Sequence, residues 1–522
     1  MTTPEAAPAT AHSAASPGMS AAETAALARG GRTSFIGYVL RLAARFPFLF
    51  IAGRLYGAEA LGRFAYATMV VELVAMFATL GLKRGLAEDM ASRPGHEAHA
   101  LYDALLVSLV AGLFGTVLLV ALPEIVFPNA DIGGLDRFFP LIIVAIVASD
   151  ISLAGLAFRH DIAATVRARS LIEPWVLSLA ALGLAFSAWA PDGLIIAYLL
   201  SMLAAAAASL LPAVRNFGSA AGWRPDPARM WALARRNVPL AGADIAEWGA
   251  RRIDIFILGR FASPEIVGIY YIAQQIASLP QRLKSSFDPI LAPVLATNLA
   301  AGRNGKAAIH IRQVSFWVGA AQIGVVLALG MTGEAGMGLF GPVFATGALV
   351  LAVLLTVELL AAQAAVAESA LIYVARNANL AWSLTGIAVQ VALSLVLVPL
   401  YGGVGAAASL AASALLLSIG KSRLLAKRLA HPVAGWRLSM LVAGVPAFAA
   451  GFAVQQAPEP FQLTIGLFII LGVFGGIIWR WGFKGADRLL FSRSLRSQEF
   501  PASPEAAAMA QVEAANPAKT GA

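Results

Sequence analysis

Long apolar runs separated by short polar turns are the feature that most constrains this chain. Each run is about as long as the roughly 20 residues that a helix needs to cross a bilayer. Backbone groups find no water in hydrocarbon, so spanning segments must be helices or closed barrels, and runs of this length favour helices. The sequence therefore predicts an all-α, polytopic membrane protein.

We count fourteen such runs in a pattern of six, six and two. They cover residues 33–56, 61–82, 101–125, 138–158, 169–189, 193–214, 238–261, 264–287, 310–332, 343–371, 378–400, 404–425, 437–457 and 461–483. The predicted domains are a disordered cytoplasmic tail at 1–32, a six-helix lobe at 33–214, a cytoplasmic amphipathic linker at 215–237, a second six-helix lobe at 238–425, two additional helices at 437–484, and a mostly disordered cytoplasmic tail at 485–522.

Composition supports this class and removes others. Hydrophobic residues make up 59% of the chain and charged residues 13%, and the mean hydropathy of +0.75 leaves apolar surface that must face lipid. Cysteine is absent, which excludes disulfides and thiolate metal sites. His96 and His99 lack a third ligand nearby, and no phosphate-binding P-loop occurs. We therefore expect no metal, no cofactor, no nucleic acid and no enzymatic activity.

The distribution of Lys and Arg predicts the orientation. With the N-terminus inside, the outer loops hold only Arg54, Arg63, Arg137 and Arg260, whereas the inner loops are basic. Positively charged short loops stay in the cytoplasm. The prediction is a multi-pass membrane protein with both termini cytoplasmic.

The two sets of six helices are related by an internal duplication. An offset of 206 residues aligns ARFPFLFIAGRLYGAEALGRFAYA, from Ala44, with ARRIDIFILGRFASPEIVGIYYIA, from Ala250, and nine of 24 positions are identical. An even number of helices per copy gives a parallel repeat, whose pseudo-two-fold axis lies along the membrane normal. This arrangement predicts a cleft between the lobes near the midplane.

Ionisable residues inside spans are costly, so each is a functional candidate. In the first span Tyr38, Arg41 and Arg45 share one face, and in the seventh Arg251 occupies the position equivalent to Arg45. We predict that arginines bind a phosphate or diphosphate, which guanidinium groups recognise bidentately. The predicted binding residues are Arg41, Arg45, Arg251 and Arg252, and the predicted cavity lining is Tyr38, Asp244, Glu247, Asp254, Gln274, Ser278 and Arg282. The alternative is that neighbouring acids simply neutralise these arginines.

Four carboxylates are candidates for ion coupling: Asp150, Glu173, Glu358 and Glu368. Burial raises the pKa of a carboxyl group, so it can exchange protons near neutral pH or supply oxygen ligands to sodium. The alternative role for each is an interhelical hydrogen bond. Embedded acids outnumber embedded bases, which would also suit a cationic substrate. Residues 222–236 read as an amphipathic helix on the inner membrane surface that bridges the lobes.

The segment from Arg32 to Ala91, with its first-span arginines, the outer turn GRLYGAEALGRF and the inner exit GLKRGLAEDMA, resembles the polysaccharide flippases of the multidrug/oligosaccharidyl-lipid/polysaccharide (MOP) superfamily. The second copy from Ala250 does so too. The resemblance implies a V-shaped pair of lobes working by alternating access. It also implies a polyprenyl-diphosphate-linked oligosaccharide as cargo, moved to the periplasmic leaflet and driven by a proton or sodium gradient. Membrane lipids and polysaccharide polymerase or export machinery are the expected partners.

Other functions stay open on the sequence. A lipid II flippase shares the architecture and the diphosphate anchor, and a drug/cation antiporter of the same superfamily would suit the carboxylates. A non-transporting scaffold predicts that every embedded charge tolerates neutralisation. A membrane glycosyltransferase would need acidic catalytic residues in loops, which this sequence lacks.

Overall fold

A computed structural model describes residues 45–128, 132–218, 222–250, 252–281, 288–483 and 487. These residues form helices, turns and connections without a strand, so the predicted all-α class is confirmed. The chain divides into two compact units, Met1–Arg252 and Ile253–Ala522. Tyr38, Arg41, Arg251 and Arg282 lie outside the described residues, as does the side chain of Glu247.

Unit 1 begins with helical residues from Arg45 that pass through a π-helical turn at Ala52–Tyr56. Its helices are α1 Gly57–Ala78, α2 Leu82–Ala91, α3 Glu97–Ala121, α4 Ile142–Phe158, α5 Ile162–Ala185, α6 Gly193–Phe217 and α7 Pro227–Ala250.

Unit 2 contains the remaining helices. They are α8 Ile253–Phe261, α9 Pro264–Ala277, α10 Asp288–Ala300, α11 Asn304–Met331, α12 Gly333–Gly338, α13 Ala348–Val374, α14 Arg376–Leu429, α15 Leu438–Val454 and α16 Leu467–Ile477.

Nine helical stretches of the described residues are long and apolar enough to cross a membrane. One of them, Arg376–Leu429, contains two of the predicted spans, 378–400 and 404–425. The chain reverses between them at Gly402, whose φ of 54° lies in the left-handed region that glycine tolerates. The predicted spans 238–261, 264–287 and 437–457 are not among the nine, because α8, α9 and α15 are short and α7 carries several charges. The total of fourteen stays a prediction.

Aromatic side chains fix the core of unit 1. The ring of Phe64 meets Tyr198 edge-on with centroids 5.4 Å apart, and Phe139 stacks on Tyr198 at 5.8 Å. Such pairs add roughly 0.5–1.5 kcal/mol each to the burial of the rings. They join α1 and α6 to the 3-10 turn Asp136–Leu141 that precedes α4.

Helix α7 packs inside unit 1, although the sequence predicts a surface linker up to residue 237 and a new span from 238. The fully buried carboxylate of Asp103 on α3 accepts hydrogen bonds from Trp223 Nε1 (2.9 Å) and from Arg229 Nε and Nη2 (2.7 Å each). These bonds raise the pKa of Arg229. Further along, a Cβ on Gly85 would lie 1.6 Å from Oδ1 of Asn237. Glycine at this position therefore lets α7 approach α2 closely.

Candidate functional site

Unit 1 encloses a cavity of about 520 Å³ between its helices. Five of its lining residues are ionisable at neutral pH: Glu72, Lys83, Asp150, Arg169 and Glu173. The others that the helices contribute include Met76, Ile146, Leu153, Ala154, Thr165, Tyr198, Met202 and Trp248. The site thus combines an apolar wall with charges from four helices.

Asp150 on α4 is the centre of the charged group. Its Oδ2 lies 2.8 Å from Nζ of Lys83, and its Oδ1 accepts a hydrogen bond from Arg169. Arg169 also donates to Oε2 of Glu173 at 2.9 Å. Asp150 therefore pairs with both Lys83 and Arg169, whereas Glu173 pairs only with Arg169.

Local breaks in the helices place these cations. Lys83 follows Leu80 and Gly81, both with positive φ, where the chain turns from α1 into α2. Arg169 lies in a π-helical turn, Arg167–Ile172, directly before Glu173 and Pro174. Proline has no N–H to donate to the preceding turn, which accounts for the widened helix. Both cations thus come from irregular backbone beside the cavity.

A second charged group comes from α7 and from Arg252, two residues past its end. Residues Asp244, Trp248 and Arg252 recur every four positions and so share one face. Oδ1 of Asp244 lies 2.8 Å from Nη2 of Arg84, and Nη2 of Arg252 lies 3.9 Å from Oε2 of Glu72. The guanidinium of Arg252 also lies 5.3 Å from the ring centroid of Trp248. This face lines unit 1 beside the Asp150 group.

The charges of the cavity are nearly balanced. Lys83 and Arg169 oppose Glu72, Asp150 and Glu173, and Arg252 supplies a third cation next to Glu72. An anion that enters the cavity competes with these carboxylates for the same cations. Asp150 is the carboxylate whose replacement would free two cations at once.

The structure assigns the predicted site residues to different places. Arg45 is half-buried at the start of the described chain, and Arg252 and Asp244 lie in unit 1. Asp254, Gln274 and Ser278 lie in unit 2, where buried Asp254 accepts hydrogen bonds from Tyr270 Oη (2.5 Å) and Gln274 Nε2 (3.2 Å). The Ser278 hydroxyl donates to the carbonyl of Gln275 and ends α9.

The four carboxylates predicted for ion coupling also separate. Asp150 and Glu173 line the cavity of unit 1. In unit 2, Glu358 accepts a hydrogen bond from Gln281 at 2.6 Å, and Glu368 lies 2.9 Å from the buried ammonium of Lys421. The described residues contain no cluster of three His, Cys, Asp or Glu side chains suited to a metal ion.

The sequence analysis did not select Lys83 and Arg169. Both fell at the inner ends of predicted spans, where basic residues are common. The spacing of Arg169 and Glu173 at i and i+4 was one signal for an embedded pair. The glycine before Lys83 was a signal for a helix break.

These features are those of a multi-pass membrane protein. Residues 51–329 match the family described as polysaccharide biosynthesis protein, which is more than half of the chain, so the protein belongs to that family. The predicted resemblance is confirmed at the level of a polysaccharide biosynthesis family, and the fold is shared with solved transporters of the MOP superfamily.

Solved structures share the fold at low identity. A lipid II flippase, MurJ, in an inward closed conformation is 12% identical, with a TM-score of 0.65 over 86% of this chain and 98% of that one. An inward-facing multidrug resistance transporter of the MATE family is 14% identical, with a TM-score of 0.59 over 75% of this chain and 94% of that one. No match was found among curated proteins.

Proposed function

We propose that this protein is a flippase that moves a polyprenyl-diphosphate-linked oligosaccharide from the cytoplasmic to the periplasmic leaflet of the bacterial inner membrane. The cargo would serve exopolysaccharide, capsule or O-antigen synthesis, and the termini would be cytoplasmic. Membership of a polysaccharide biosynthesis family and a transporter fold support this proposal. The cargo moves without chemical change, so the protein is a transporter and not an enzyme.

The observation that carries the proposal is the pair of cations, Lys83 and Arg169, held by one carboxylate beside a cavity among membrane helices. A diphosphate offers oxygen acceptors to both cations and can take the place of Asp150. Lys83 and Arg169 then exchange their charge-assisted hydrogen bonds to Asp150 for similar bonds to the diphosphate. Because the two cations keep a partner throughout, this exchange avoids the several kcal/mol per ion that an unpaired charge away from water would cost.

Further contacts to the diphosphate are part of the same proposal. Arg252 lies next to the cavity, and Arg41, Arg45 and Arg251 are the other cations that the sequence predicts for this role. Arginine suits them because its planar fork matches phosphate oxygens. A proton or sodium ion bound by a carboxylate would drive alternating access, and a polysaccharide polymerase would receive the product.

A flipping assay tests the proposal directly. The protein is reconstituted in liposomes with a fluorescent lipid-linked oligosaccharide, and the flipped fraction is measured by access of a lectin from outside. We expect the double substitution Lys83→Gln and Arg169→Gln to lower the rate at least tenfold, since each lost charged hydrogen bond is worth about 1.5–3 kcal/mol.

A matched control variant removes the same number of positive charges at positions outside the cavity. Arg215→Gln with Lys306→Gln neutralises two exposed cations away from the cavity and should leave the rate unchanged. Flipping at the parental rate by the Lys83 and Arg169 variant would exclude these cations from the mechanism. Lipid II, offered in the same assay, distinguishes a peptidoglycan precursor from a polysaccharide one.

A second candidate is a drug/cation antiporter. Three carboxylates line the cavity against two cations, and the fold is also that of a MATE transporter. This function predicts efflux of cationic dyes that is lost on Glu72→Gln. A protein that exports no dye and flips the lipid-linked glycan contradicts it.

A further inference from the structure

Unit 2 carries an apolar groove of about 690 Å³ along α14. Leu415 and Ile419 line it with exposed side chains, and Trp382 comes from the other arm of the same helix. Gly420 is required here, because a Cβ on it would lie 2.4 Å from the Trp382 ring. The indole therefore packs directly on the backbone and leaves the groove open beside it.

The groove ends at two cations. Arg423 and Lys427 follow Ile419 at steps of four residues, so they continue the same helix face. Both side chains are exposed, neither has an ion pair with another described residue, and no acid lines the groove. The apolar channel therefore has an uncompensated positive end.

Arg423 and Ile419 also border a second cavity of about 260 Å³, which has polar groups in a partly apolar wall. Its walls include three buried polar residues, Ser315, Gln363 and Ser418. The two cavities share Ile419 and Arg423 in their walls, so one guanidinium borders both an apolar groove and a cavity with hydrogen-bonding groups. An amphipathic ligand suits such a pair of surfaces.

We infer that this bipartite site binds an anionic glycerophospholipid, with one acyl chain in the groove, the phosphate on Arg423 and Lys427, and the headgroup in the second cavity. Basic pockets between membrane helices bind anionic lipid headgroups in this way. The headgroup cavity is smaller than the roughly 300–1,000 Å³ of typical ligand sites. It therefore fits a small headgroup and excludes an oligosaccharide, so this site is separate from the proposed transport cavity.

Native mass spectrometry of the full-length protein in detergent tests the site. Phosphatidylglycerol and phosphatidylcholine with identical chains are titrated separately, and bound lipid is counted. We expect phosphatidylglycerol to bind more tightly, and Arg423→Gln with Lys427→Gln to weaken it by about fivefold for each charge removed. Phosphatidylcholine binding should be unchanged.

Two further variants separate headgroup from chain. Ala412→Phe fills the groove with a side chain that lipid tolerates, and should weaken phosphatidylglycerol binding although both cations remain. Arg428→Gln removes one exposed charge that does not line the groove, and should have no effect. Circular dichroism of each variant shows that its helices are intact.

Several results would overturn the inference. Equal binding of both lipids, or no loss in the cation variant, would reduce the groove to ordinary lipid-facing surface. If glycerol phosphate displaced phosphatidylglycerol, the cations would bind a free phosphate and the apolar groove would play no part in binding. Tighter binding of a polyprenyl phosphate, lost in the same variants, would assign the groove to an isoprenoid and not to a glycerophospholipid.

Discussion

Two carboxylates of unit 1 each collect two cations, yet their surroundings are opposite. Asp103 is completely buried and accepts bonds from Trp223, from Arg229 and, at 3.2 Å, from Arg93. Asp150 borders a cavity, and its partner Lys83 has a side chain that is 39% exposed. The Asp103 carboxylate is buried and saturated with donors, although the side chains of its cations Arg93 and Arg229 are 27% and 34% exposed. Asp150 instead borders a cavity, from which another anion can reach its cations.

This difference separates a structural role from a functional one. A buried carboxylate with every acceptor position filled holds its helices in one arrangement, and losing it strands several donors. A carboxylate that shares its cations beside a cavity of about 520 Å³ can release them to another anion. We therefore expect Asp103 to govern stability and Asp150 to govern ligand binding.

The largest effect on stability is expected for Asp103→Asn. The substitution keeps the volume but removes the charge that holds α7 against α3, at a cost of about 3 kcal/mol. Thermal unfolding of the purified protein should show a clearly lower melting temperature, and Trp223 fluorescence should change with it. If the Asp103→Asn variant were as stable as the parent, Asp103 would have no larger structural role than Asp150. Asp226→Asn, at an exposed position next to the same helix, is the matched control.

A smaller loss of stability is expected at Gly85, where the missing side chain lets α7 pack closely against α2. In Gly85→Ala the new methyl group meets Asn237, and overpacking of this kind costs about 1–3 kcal/mol. Asn237→Ala provides space, so the double variant should recover part of the loss. A double-mutant cycle on melting temperatures measures this coupling. Strict additivity of the two losses would show that the helices do not meet at this point.

Asp150→Asn should cost less stability than Asp103→Asn, about 1–2 kcal/mol, because Lys83 can be solvated when its partner is lost. Under the proposed function the freed cations hold a diphosphate more tightly. We expect stronger binding of the lipid-linked glycan together with slower flipping, since release becomes limiting. Asp150→Glu keeps the charge and should retain transport. A loss of binding in Asp150→Asn would contradict the exchange of carboxylate for phosphate.

The fold was largely predictable because hydropathy is a local property. The two arms of α14 match the predicted spans 378–400 and 404–425, and the break at Gly402 falls between them. Each run of apolar residues needs only its own composition to be recognised. From residue 215 to 287 the linker and the two spans stay predictions, since in the described part α7 is partly polar and α8 is short.

The site was less predictable because its members are distant in sequence. Lys83, Asp150 and Arg169 meet only through the packing of three helices. Asp150 was selected as an embedded acid, but its partners required the fold. Likewise, the Trp and Arg residues near residue 225 fit a surface helix by pattern, whereas Asp103, far away in the sequence, accepts their hydrogen bonds.

The smallest stability effect is expected for Arg252→Gln. Its contact with Glu72 is long, at 3.9 Å, and both side chains are 34% exposed, so the pair contributes about 0.5 kcal/mol or less. The melting temperature should therefore stay within error of the parent while flipping falls, because the guanidinium is proposed to bind diphosphate. Arg252→Lys keeps the charge but loses the fork, and should restore flipping only in part. A melting temperature as low as that of the Asp103→Asn variant would show that Arg252 has a structural role, like the residues around Asp103. Solvent exposure would then not distinguish structural from functional ion pairs in unit 1.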